Sequence, residues 1–188
     1  MIPYTTERRG DTGATNVTLG IWLFLASEIM LFGSLFSAYA LIRASATSWP
    51  AGRDVLQPSL ALMNTFILIG CTASVWRARS HDPLKAMGSL AASTFLAFAF
   101  LVVKGAEYRF DMNAGLVPSA STFLACYFTL TGLHALHVLA GGLANAWVIA
   151  GTRQVMPALT AGRIRAVSLY WTFVDAIWLV LLVLFYLT

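Results

Sequence analysis

Residues 17–43 read VTLGIWLFLASEIMLFGSLFSAYALIR, a run in which Glu28 is the one charged side chain before Arg43. A bilayer core needs about 20 consecutive helical residues to cross it, and this stretch exceeds that length. It reads as a membrane span. Four more apolar stretches follow, at 58–77, 86–108, 120–150 and 166–187. The fourth is longer than the hydrocarbon requires, so it is expected to tilt or to project from the membrane. The expected fold is therefore all-α: one transmembrane domain over 1–188, a polytopic bundle of five helices.

Composition agrees. Of 188 residues, 59% are apolar and 11% charged, whereas soluble domains carry about 25% charge. A water-soluble fold could not hide so much apolar surface. Breaks between the spans carry turn chemistry: Trp49-Pro50-Ala51-Gly52, His81-Asp82-Pro83, Asn113-Ala114-Gly115 and Ala161-Gly162. A polar segment with Glu7, Arg8, Arg9 and Asp11 precedes the first span. That span is too long for a signal-peptide core and lacks a small-residue cleavage site, so it is read as retained. No internal repeat and no low-complexity tract is visible.

The basic residues set an expected orientation. With the N-terminus in the cytoplasm, the inner segments hold Arg8, Arg9, Arg77, Arg79, Lys85, Arg153, Arg163 and Arg165, and the outer ones Arg43, Arg53, Lys104 and Arg109. Excess Lys and Arg belong on the cytoplasmic side, which gives an N-in, C-out, multi-pass protein. The net charge of +4 is explained by this asymmetry better than by nucleic-acid binding.

Charged side chains at mid-membrane are costly and need a reason. Glu28, His134, His137 and Asp175 all fall near the middle of their spans. His134 and His137 are three residues apart and share a helix face. The four are expected to face inward as a buried polar core. Lys104 and Glu107 have the same spacing near the end of the third span and read as an interfacial ion pair. A metal site is not expected. Catalytic zinc commonly takes three protein ligands, the third histidine, His81, lies in a loop, and neither Cys-x-x-Cys nor His-Glu-x-x-His occurs. Nor is there a nucleophile–base pair or a phosphate loop, so no catalytic residue is assigned. Cys71 and Cys126 read as small core residues. Trp22, Trp49, Trp76, Trp147 and Trp171 lie near span ends, where indoles prefer the membrane interface, while Trp178 is expected inside. Gly132, Ala140, Gly141 and Gly142 should let the fourth span approach a neighbour closely.

Three of these segments together form a pattern. Gly20-Ile21-Trp22-Leu23-Phe24-Leu25-Ala26-Ser27-Glu28 resembles the "GMWLFLASE" helix of the haem–copper oxidase subunit III family. Phe128 to Val138, FTLTGLHALHV, resembles its "FTxTGFHGLHV" helix. Tyr170 to Trp178, YWTFVDAIW, resembles its final "YWHFVDxVW", and Glu107-Tyr108 matches an "EY" pair between them. The order holds from about residue 16 to the C-terminus.

The resemblance implies a subunit without haem, copper or quinone of its own. Such a subunit packs on the catalytic subunit I, which holds haem and copper. The complex reduces dioxygen and pumps protons in the bacterial inner membrane. It also implies a stabilising role, support of proton uptake and bound phospholipid. Glu28 would be the family's buried carboxylate, and His134, His137 and Asp175 its polar core. Two departures matter. The full family form has seven helices, of which the first two are not expected here, and Thr172 stands where a histidine is usual. Cytochrome c is the expected electron donor to the complex. A quinol oxidase subunit III and an accessory subunit of nitric oxide reductase are the related alternatives. A stand-alone proton transporter using Glu28, Asp175 and the histidines is the alternative of another class. The inverted repeats and broken helices common in transporters are not evident.

Overall fold

A computed structural model describes residues 10, 13–79, 82–152 and 157–187. Glu7, Arg8, Arg9, Asp11, His81 and Arg153, which entered the readings above, lie outside the described residues. The elements are α1 (Asn16–Ser45), a short α2 (Gly52–Val55), α3 (Pro58–Arg77), α4 (Pro83–Asn113), α5 (Thr122–Thr152) and α6 (Pro157–Leu182), which ends in a π-helical turn, Val183–Leu187. Five of the helices are long and apolar enough to cross a membrane. The architecture is the expected all-α polytopic bundle.

The helix ends follow local chemistry. The Thr15 hydroxyl accepts from the Thr18 amide at 3.3 Å and caps α1. Asp82 caps α4, accepting from Leu84 N at 3.0 Å, and Pro58 and Pro83 sit in the first turns of α3 and α4, where the missing N–H costs nothing. Beyond α4, Gly115 adopts φ +81, a left-handed conformation that glycine takes without strain.

Some boundaries differ from the sequence reading. The third span is expected to end at 108, yet α4 runs to Asn113. Asp111 is buried by its neighbours, so the charge does not stop the helix. α6 starts at Pro157 rather than at 166.

α3, α4, α5 and α6 form a closed ring: each packs on the next in order, and α6 closes back on α3. α1 lies outside that ring, chiefly against α6. It is apolar all round and buries only Leu25, Phe32 and Tyr39, while Trp22, Ile29, Met30 and Leu41 are exposed. Such a helix presents its remaining faces to lipid or to another protein.

Two glycines permit close approaches. A Cβ on Gly52 would land on the Phe185 carbonyl, so α2 seats directly on the π turn. A Cβ on Gly141 would sit 2.8 Å from Trp171 Cζ2, so α5 and α6 approach there as the small residues suggested. Trp171 itself is fully buried, which corrects its assignment to the interface. Its indole N–H donates to Asn145 Oδ1 at 3.2 Å, and Asn145 Nδ2 donates to Ser93 Oγ at 3.0 Å, which lies 3.0 Å from Cys71 Sγ. This hydrogen-bonded band ties together all four helices of the ring.

Candidate functional site

The first polar cluster joins α1 to α5. His137 Nε2 lies 3.0 Å from Glu28 Oε2, and His137 Nδ1 lies 2.8 Å from the Leu133 carbonyl. Both partners are acceptors when the carboxylate is ionised, and a neutral imidazole has one N–H. The two contacts together fix the orientation of the His137 ring between Glu28 and its own helix. The Tyr170 hydroxyl donates to the His137 carbonyl at 2.8 Å, and the Phe32 ring meets the imidazole edge-on at 5.1 Å. The side chains of His137 and Glu28 are 13% and 15% exposed. The burial expected of this pair is thus partial rather than complete.

The second cluster is fully enclosed. Lys104 uses all three ammonium N–H groups: on Glu107 Oε2 at 3.1 Å, the Tyr127 hydroxyl at 3.0 Å and the Tyr186 hydroxyl at 2.6 Å. Tyr186 donates in turn to Glu107 Oε1 at 2.6 Å. The Tyr127 hydroxyl stands 2.9 Å from Glu107 Oε1 and 3.4 Å from Asp111 Oδ2. The rings of Tyr108, Tyr127, Trp178 and Tyr186 surround the ammonium at 4.8 to 5.6 Å, a desolvated cation–π setting. The ion pair read from the sequence is present, and protein encloses it: Lys104 and Glu107 are 2% and 1% exposed. The longer α4, Tyr127 of α5 and the π turn of α6 close over it.

His134 and Asp175 join neither cluster by a direct hydrogen bond among the described interactions. His134 is completely buried between Trp178, 5.2 Å away ring to ring, and Phe100 at 5.8 Å. Asp175 is half-buried on the α3 side of α6, beside the Thr72 hydroxyl. The four mid-membrane groups thus occupy three places rather than one. His134 and His137 share a helix face in spacing only, since a three-residue step turns the side chain by roughly 60° in a helix of 3.6 residues per turn, enough to separate core from groove. Thr172 accepts from Trp76 Nε1 at 3.2 Å, an α3–α6 contact on the outer surface.

Sequence reasoning missed Asp111, Tyr127, Tyr186, Ser93, Asn145 and Asn64. Asp111 carried a usable signal, because Lys104, Glu107 and Asp111 follow i, i+3, i+7 spacing along one helix stripe. Tyr186 carried none, since the π turn that aims it leaves no mark in the sequence.

Among the described residues, no three of His, Cys, Asp and Glu converge to hold a metal ion. The arrangement is that of a polytopic membrane protein in which Glu28 pairs with His137, and Lys104 with Glu107 and two tyrosines. The chain belongs to the cytochrome c oxidase subunit III family, whose model matches residues 9–188. It is 32% identical over 185 residues to the cytochrome bo(3) ubiquinol oxidase subunit 3 of Pseudomonas aeruginosa, covering 94% of this chain and 87% of that one. It is 33% identical over 180 residues to the cytochrome c oxidase subunit 3 of Corynebacterium diphtheriae, covering 90% and 87%. A haem–copper oxidase subunit I+III of Aeropyrum pernix is 34% identical over 181 residues, 89% of this chain and 22% of that longer protein. The chain is accordingly a subunit III of the respiratory haem–copper oxidases, working in a complex with other oxidase subunits.

Proposed function

We propose that the chain is a non-catalytic subunit that packs on the catalytic subunit, which carries the haem and copper, and that it steadies that subunit and supports its proton uptake. One observation supports this reading above the others: Lys104, Glu107 and Glu28 are engaged in contacts within the chain, while α1 leaves a broad apolar face uncovered. The fused subunit I+III among the relatives supports subunit I as the neighbour. The basic-residue asymmetry supports an N-terminus in the cytoplasm and a C-terminus outside, in a bacterial inner membrane. Phospholipid would fill what the partner leaves open. Cytochrome c is the donor assigned to the complex, and the identity to a ubiquinol oxidase subunit favours quinol as the second reading.

Affinity purification through a tag on this chain, in mild detergent, tests the proposal. A haem-containing larger subunit should co-purify. A colourless chain that moves protons in liposomes would support a stand-alone transporter instead.

A further inference from the structure

We propose that His134 and Asn64 bind ordered water inside the α3–α6 ring, on the side of the Lys104 cluster that faces the middle of the bundle. Both side chains are fully buried. Among the described residues, neither ring nitrogen of His134 and neither amide atom of Asn64 has a hydrogen-bond partner. Two such side chains at once are unusual, because buried polar atoms are almost always bonded to protein or to internal water.

The layer of the core around Trp178 links the two positions. The Trp178 indole N–H donates to Thr65 Oγ1 at 2.9 Å, beside Asn64 on α3, and its ring faces His134 of α5 at 5.2 Å. Phe100 of α4 completes the layer, 5.1 Å from Trp178. Lys104 Nζ stands 5.6 Å from the Trp178 ring, so the layer abuts the charged cluster. On its other side lies the Cys71–Ser93–Asn145–Trp171 band.

The donor and acceptor inventory selects the ligand. A neutral histidine offers one donor and one acceptor, and asparagine offers two donors and a carbonyl. A small molecule that both donates and accepts satisfies this set, and internal waters make about three such bonds. A metal would want more ligating side chains than the layer contains. Toward the α3 C-terminal end, Val75, Ala78, Ala86, Val148 and Ile164 close the core with apolar side chains.

The test uses the intact oxidase complex with Asn64→Leu, His134→Leu and the double variant. Each single change should lower the melting temperature of this subunit, and the double change should lower it by less than the sum, since a shared water is lost once. Single variants as stable as the parent, or strictly additive losses, would overturn the shared site. Where a variant fails to assemble, a high-resolution map of the unaltered complex decides. Density about 2.6–3.2 Å from a His134 ring nitrogen and from the Asn64 amide is expected. A clear layer without it, in a map that shows other internal waters, would overturn the proposal.

Discussion

Glu28 of α1 and His137 of α5 meet at 3.0 Å, and this contact fastens the outlying helix to the closed ring. α1 otherwise packs chiefly on α6, through apolar contacts such as Phe32 on Phe173 and, near its C-terminal end, a hydrogen bond from the Tyr39 hydroxyl to the Leu184 carbonyl at 3.1 Å. Apolar contact alone specifies position weakly in lipid, where the surroundings are as apolar as the partner. A hydrogen bond between two costly groups specifies one register.

Glu28→Gln should keep that register, because the amide N–H can donate to His137 Nε2. Glu28→Ala cannot. The expected loss is about 0.6–1.5 kcal/mol, read as easier release of this subunit during detergent washing. Equal retention of both variants would show that the contact does not hold α1.

Lys104→Met should be among the most damaging single changes in the chain. It leaves Glu107 and Asp111 buried without a cation, and breaking such a pair costs about 3–5 kcal/mol. The double change Lys104→Met with Glu107→Gln should cost less than Lys104→Met alone. Thermal unfolding of the subunit in the complex measures both, and a double variant less stable than the single one would contradict the pairing.

Gly141 and Gly142 make a matched comparison. Gly141→Ala drives a methyl against Trp171 at 2.8 Å, whereas Gly142→Ala meets Ala97 Cβ at an ordinary 3.6 Å. Overpacking typically costs about 1–3 kcal/mol, so the first should destabilise and the second be tolerated. Similar melting temperatures would mean that α5 and α6 are not held that closely.

The fold was legible because hydrocarbon imposes so strict a rule: backbone polar groups must be satisfied within the span, so each long apolar run becomes a helix. Which face of each helix turns inward was less legible. α1 is apolar on every side, so its sequence does not mark the groove that leaves Glu28 partly open. Lys104 and Glu107 were visible as a pair, but the tyrosines enclosing them come from α5 and the end of α6, 23 and 82 residues away from Lys104. That closure depends on the π turn placing Tyr186. Trp171 was misplaced because position along a span does not tell inward from outward. Its burial follows from the side-chain space that Gly141 leaves.

The optical spectrum of the oxidase before and after removal of this subunit tests the central claim most directly. A subunit that steadies the complex without holding a redox centre should leave every haem band in place, while activity fades sooner over repeated turnover. A lost or shifted haem band, with activity falling in step from the first turnover, would mean that the redox chemistry reaches into this chain.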